Sequence, residues 1–146
     1  MKYFEMVTLK NGVECCVRHG EEADGQEVYE NFNLTHEQTE FLLSYPDENS
    51  MDAIGSKYKV KHRAEVGISI EQDFWGLGIG KKLMDACIKC AREAGYIQLE
   101  LDAVAQNARA IPMYEALGFQ EFGRNPKGFR SKTTGFQELV YMRLEL

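Results

Sequence analysis

Long apolar runs are missing from this chain. None of its apolar stretches approaches the ~18 positions that a membrane-crossing helix needs. The first residues, Met1-Lys2-Tyr3-Phe4-Glu5, carry no apolar targeting core, so a cytoplasmic protein is the expectation. Positive charge is in deficit: 17 Lys and Arg stand against 23 Asp and Glu, for a net charge of −6. That balance argues against nucleic acid or an anionic membrane as partner. Metal-ligand spacing is missing too. Cys87 and Cys90 form a C-x-x-C with no second pair and no suitably spaced His, so no metal is expected. The pair also falls about two turns into a helical stretch, away from the N-terminus where a thiolate would be stabilised. Cys15 and Cys16 are adjacent in a strand-like run. All four cysteines read as reduced, small apolar residues. His19, His36 and His62 are scattered, and His62 stands at the start of a strand-like run. There are no repeats, no low-complexity tracts and no linker. One domain over residues 1–146 is expected, long enough for a core.

What the chain does have is Trp75-Gly76-Leu77-Gly78-Ile79-Gly80-Lys81. Before it, Ala64, Val66, Ile68 and Ile70 alternate with polar or small residues, which predicts a strand with one buried face. Gly67 inside that strand points to a bulge or a close backbone approach. After it, Ile79, Leu83, Cys87, Cys90 and Ala94 recur at helical spacing, and Gly95 follows as a stop. Strand, glycine loop and helix in this order can aim several backbone N–H groups at one anion. The loop is not a P-loop. Trp75 stands where the first glycine would be, and Lys82 replaces the metal-binding Ser or Thr. It lacks the dinucleotide spacing as well.

The rest of the chain alternates strands and helices. Asn11-Gly12 predicts a hairpin turn between two N-terminal strands. Glu21 to Asn31 reads as a polar helix. Thr35-His36-Glu37-Gln38 reads as a capping box that starts a second helix, with Phe41, Leu42 and Leu43, ending by Tyr45-Pro46. Met51 to Ile54 and, more weakly, Lys57 to Lys61 could be short strands. Ile97, Leu99 and Leu101 mark another strand, and Ala108 to Leu117 a helix stopped by Gly118. Phe119 to Arg124 and Phe136 to Leu146 read as closing strands around a basic loop, Asn125 to Gly135. Phe136, Val140, Met142, Leu144 and Leu146 share one face of the last strand.

Some 27 residues past Gly80 lies Asn107-Ala108-Arg109-Ala110-Ile111-Pro112-Met113-Tyr114-Glu115-Ala116-Leu117-Gly118-Phe119. Together with the strand from His62 to Ile70 and the glycine loop, this segment resembles the GNAT superfamily of N-acetyltransferases. The resemblance is specific from about His62 to Phe119. It implies an α/β (α+β) fold with a single mixed, mostly antiparallel, twisted sheet flanked by helices. It implies acetyl-CoA as cosubstrate and an amine as acceptor, either a small molecule or a protein N-terminus. By the resemblance, the backbone of Ile68, Ser69 and Ile70 would pair with the pantetheine arm. The amides of Gly76, Leu77, Gly78, Ile79, Gly80 and Lys81 would hold the pyrophosphate, Asn107 would hydrogen-bond the cofactor, and Tyr114 would protonate the departing thiolate. Lys81, Lys82 or Arg109 could neutralise a CoA phosphate. The family's loop usually opens with Arg or Gln where this chain has Trp75, a change that leaves backbone donation intact.

An amine must be neutral to attack a thioester, so a carboxylate should take its proton, directly or through water. Asp102 on the polar face of its strand is one candidate, sharing that face with Glu100, and Glu65 on the neighbouring strand is the other. The acetyl oxygen gains charge as the amine attacks, and a free N–H near Gly67 to Ser69 would meet it.

Only 16 residues separate Pro46 from Arg63. Two strands barely fit there, so one sheet strand is expected to be missing or shortened. The exposed edge would invite pairing with another chain, such as a homodimer partner. That leaves a competing reading, a catalytically impaired CoA-binding or self-associating module. A nucleotide-binding domain without acetyl transfer is a third, weakened by the failed motif spacings.

Overall fold

A computed structural model describes residues 3–38 and 61–146. The second helix through Phe41 to Leu43, the strand Met51 to Ile54 and all but the last two residues of the short segment 47–62 lie outside the described residues. Strands β1 (Phe4–Thr8) and β2 (Glu14–Arg18) form an antiparallel hairpin. Its turn is the expected Asn-Gly: Gly12 has φ 84°, and the N–H of Gly12 donates to the Leu9 carbonyl at 2.9 Å. Helix α1 (Gly25–Gln38) follows, entered through a 3₁₀ turn at Glu22–Asp24. Asp24 is fixed there by Arg18 at 2.7 Å and by the N–H of Glu21 at 2.7 Å. The guanidinium contact, then the backbone bond, lowers the Asp24 pKa to about 2.

Thr35 does not start a second helix. It lies inside α1, buried, and its hydroxyl donates to the Phe32 carbonyl at 2.9 Å. A threonine that bonds back to its own helix offers nothing as a cap, and α1 runs on to Gln38.

The main sheet has the order β3-β4-β6-β5, with β3 Arg63–Glu65, β4 Gln98–Val104, β5 Gln120–Ser131 and β6 Gly135–Glu145. β3 pairs parallel to β4, and the other two pairings are antiparallel. Helix α2 (Ile79–Glu93) connects β3 to β4, and α3 (Ala110–Ala116) connects β4 to β5. This is the mixed, mostly antiparallel sheet flanked by helices. Met84 and Ala91 of α2, Leu99, Leu101 and Ala103 of β4, Tyr114 of α3 and Val140, Met142 and Leu144 of β6 form the principal core. The helix is rotated from the expected stripe. Met84, Ala86 and Ala91 are its buried positions, Cys87 and Cys90 are half-buried, and Ala94 is exposed. All four cysteines are free thiols, and burial raises the Cys87 pKa.

The basic run from Asn125 is not a loop. β5 continues to Ser131, past a register shift between Asn125 and Phe129 that absorbs Pro126 and Gly128. A Cβ on Gly128 would come within 2.9 Å of the Leu139 side chain, so only glycine lets the bulged strand lie against β6. Phe136 shares parity with the buried residues of β6, yet it is exposed near the hairpin end.

Both helices α2 and α3 end alike. Tyr96 N–H donates to the Ala91 carbonyl at 3.1 Å and Gly95 N–H to Arg92 at 3.0 Å. Phe119 N–H donates to the Tyr114 carbonyl at 3.0 Å and Gly118 N–H to Glu115 at 3.0 Å. These are Schellman ends, with φ 84° at Gly95 and 96° at Gly118. At Gly118 an added Cβ would also press within 3.3 Å of Leu144. Gly118→Ala is expected to lower stability by roughly 1–2 kcal/mol through the left-handed backbone alone. A urea denaturation midpoint unchanged from the parent would contradict this.

Candidate active site

The site grows from a splay between two strands. β3 ends at Glu65, well short of the expected Ile70. Val66 N–H still donates to the Glu100 carbonyl at 2.9 Å. Past that bond the chain leaves β4, although Ala64, Val66 and Ile68 keep their alternation and pack on the core. Among the described residues the amides of Gly67, Ile68, Ser69 and Ile70 have no hydrogen-bond partner. Gly67 marks no close approach, since a Cβ there would meet nothing within 4 Å. Its backbone simply lies where the sheet has opened.

One cleft fills the splay. Ile68, Ser69 and Ile70 line one wall, Asp102 faces them from β4, and Tyr114 reaches in from α3. Gly76, Leu77, Gly78, Ile79, Gly80 and Lys81 line it at the start of α2, and Asn107 lines it before α3. Glu65 is exposed and outside the lining, and Glu100, half-buried and ion-paired with Arg63, lies outside it too. Of the carboxylates named from sequence, only Asp102 therefore enters the cleft.

The loop fits an extended polyanion. Gly76 and Gly78 have φ 79° and 87°, a backbone that L side chains rarely adopt. At Gly80 a Cβ would lie 3.2 Å from Met113 and 3.3 Å from Ile70, so glycine brings α2 against the cleft wall. Among the described residues, the charged side chains around the cleft are Lys10, Lys81, Lys82 and Arg109 against Asp102. A chain of net charge −6 has thus reversed its sign locally. Lys81 is the least available of these cations, because Asp85 holds its ammonium at 2.9 Å.

Asp102 and Tyr114 are tuned together. Burial, and then the neighbouring Glu65, raises the Asp102 pKa above its ordinary value. Burial, and then Asp102, raises that of Tyr114. Tyr114 is held by the helix end: its carbonyl accepts from Phe119, and the Phe119 ring packs against its own ring at 6.0 Å between centroids. Asn107 is partly committed, since its Oδ1 accepts from the N–H of Ala110 at 3.1 Å. Its amide NH₂ has no partner among the described residues.

Two features escaped the sequence reading. The indole N–H of Trp75 donates to the Ile70 carbonyl at 2.7 Å, and the Arg109 guanidinium stacks on the Trp75 ring at 5.0 Å. Lys10, from the distant hairpin turn, borders the loop, with its N–H donating to the Leu77 carbonyl at 3.2 Å. Neither contact has a local sequence signal.

Residues 15–119, more than half of the chain, match the model of the acetyltransferase (GNAT) family. This chain belongs to the GNAT family. It is 30% identical over 79 residues to the ribosomal protein bS18-alanine N-acetyltransferase of Salmonella typhimurium. That match spans 54% of the GNAT chain and 53% of the relative, about half of the relative's length. In fold it is similar to the GNAT-family acetyltransferase of Streptococcus pneumoniae, with TM-score 0.80 and 18% identity, covering 88% of this chain and 98% of that one. A Salmonella typhimurium protein assigned as an acetyltransferase and solved with its cofactor acetyl-CoA has TM-score 0.77 and 19% identity, covering 88% and 92%. Among the described residues, no helix of this GNAT chain is long and apolar enough to cross a membrane. No group of three or more His, Cys, Asp or Glu side chains there is placed to hold a metal ion.

Proposed function

We propose that the chain is an N-acetyltransferase that moves the acetyl group of acetyl-CoA to a primary amine. The observation that carries this reading is the splayed cleft, which joins unpartnered backbone donors, a glycine-loop helix start, the Asp102 carboxylate and the hydroxyl of the buried Tyr114. Family membership and the relative named for alanine N-acetylation support it. Bound acetyl-CoA supplies the activated acetyl group. Ile68, Ser69 and Ile70 hold its pantetheine arm as an added strand, the amides of Gly76 to Lys81 hold its pyrophosphate, and the free NH₂ of Asn107 adds a donor.

Asp102 takes a proton from the incoming ammonium, directly or through one water, and frees the amine to attack. Its raised pKa makes it a better proton acceptor than an exposed aspartate. A free N–H between Gly67 and Ser69 meets the charge that builds on the acetyl oxygen. The hydroxyl of Tyr114 donates a proton to the departing sulfur, and the proton that the attacking nitrogen sheds on becoming an amide restores it. Its raised pKa keeps that proton in place at neutral pH. Glu65 stands outside the cleft and acts on Asp102 through its charge.

The acceptor is a primary amine of a small molecule or a protein N-terminus. Thiol release from acetyl-CoA, followed with free amino acids, polyamines and peptides beginning with alanine, tests the reading. Release above the amine-free rate with at least one acceptor is expected. CoA binding without release by any amine would leave a binding module in its place.

A further inference from the structure

The cations around the glycine loop divide by how they are held. Several basic side chains pair with carboxylates: Arg18 with Asp24, Arg63 with Glu100, Arg124 with Glu121 and Glu138, and, at the loop itself, Lys81 with Asp85. Lys10 and Arg109 line the cleft and have no carboxylate partner among the described residues. Both are nevertheless fixed in place. The backbone of Lys10 is tied to the loop through Leu77, and its stem runs over Gly78. A Cβ built on Gly78 would lie 3.7 Å from Lys10 Cε and 3.8 Å from its Cγ. The Arg109 guanidinium carbon lies over the Trp75 ring, 5.0 Å from its centre, and the indole is itself anchored to the Ile70 carbonyl. A stacked guanidinium keeps its N–H edge free for an anion. Lys82 borders the cleft too, but it is exposed, and among the described residues no side-chain contact holds it.

We propose that Lys10 and the Trp75-stacked Arg109 are the side chains that grip the phosphates of the nucleotide end of CoA. One reaches the loop at residue 78 and the other at residue 75. This rests on the acetyl-CoA reading above and adds two things to it. The N-terminal hairpin belongs to the cofactor site, and the site selects CoA over carriers that share only its pantetheine arm. Trp75 serves as the platform of Arg109.

The test is calorimetric titration of the full chain with acetyl-CoA, its 3′-dephospho form and S-acetyl-pantetheine. The same titrations are run on Lys10→Met, Arg109→Met and the double variant, with Lys127→Met as a charge-matched control. Each single variant should bind acetyl-CoA about tenfold more weakly, as expected for losing a hydrogen bond to a charged group. The double variant should lose more and show a shallower salt dependence, while S-acetyl-pantetheine binds parent and variants alike. Lys10→Arg should keep the parent affinity, which separates a charge role from a packing role and stands in if Lys10→Met folds poorly. The dephospho form tells which phosphate is gripped, since a variant that loses no affinity for it was holding the 3′-phosphate. Parent-like acetyl-CoA affinity in both Met variants would overturn this inference and leave the CoA reading standing. A parent that binds no acetyl-CoA would overturn both.

Discussion

Tyr114→Phe is expected to lower the turnover of acetyl transfer by about 10²–10⁴-fold, the usual contribution of a positioned acid. Acetyl-CoA affinity should stay near that of the parent. The substitution removes one oxygen and keeps the ring that packs against Phe119 and closes the end of α3. Folding should therefore survive, and thermal melting of the variant checks that it does. The raised pKa of Tyr114 gives the prediction a sign in pH. The group must be protonated to act, and burial pushes its titration above 10.0, so the alkaline limb of the parent profile should lie beyond that of an exposed tyrosine. A phenylalanine variant with parent turnover would remove Tyr114 from the chemistry.

Asp102→Asn should cost turnover on a similar scale, about 10²–10⁴-fold, and should erase the acidic limb. The base must be ionised to accept a proton. Because burial and Glu65 raise its pKa, that limb should lie above the 3.8 of an ordinary aspartate. Stability moves the other way. A carboxyl whose folded pKa is raised favours the native state at low pH and loses that contribution as pH rises through the folded value. Removing the charge at neutral pH should thus leave the melting temperature equal or higher while activity falls. Glu65→Gln is the companion measurement. It removes the charge that lifts Asp102, so the acidic limb should shift down with little loss of turnover. Lost turnover in Glu65→Gln with an intact limb in Asp102→Asn would exchange the two roles.

Much of this was legible because the signals are local. Asn11-Gly12 forces its own hairpin, and Gly95 and Gly118 stop their helices by adopting a backbone other residues avoid. The alternation at Ala64, Val66 and Ile68 predicted which side packs inward, and it holds even where the hydrogen bonds to β4 stop. Alternation reports packing, not pairing, so it could not place the end of β3. The basic run at Asn125 fails for the opposite reason. Pro126, Gly128 and the charges are loop signals, yet a bulge lets a strand carry them while Phe129 and Ser131 turn inward. At Thr35 the capping pattern matched in letters, but the hydroxyl found a carbonyl inside the helix first. Lys10 over Gly78 and Arg109 over Trp75 are long-range encounters, and no window of sequence contains both members of either pair at once.

Two unpaired flanks of the described sheet are of different kinds. The outer one, β5, is guarded in the ways that keep sheets from sticking to one another. It carries Arg124, Lys127 and Arg130, a proline at 126 and two irregularities that spoil its register. The inner one is the stretch of β4 beyond Glu100, where the neighbouring chain has peeled away, and it has none of these guards. It is kept from other molecules by position, with Leu101, Ala103 and Val104 buried within the fold. A strand flank of this sort is a hazard on a surface. Inside a cleft, under the acetyl-CoA reading proposed above, the same flank becomes a template for one thin ligand.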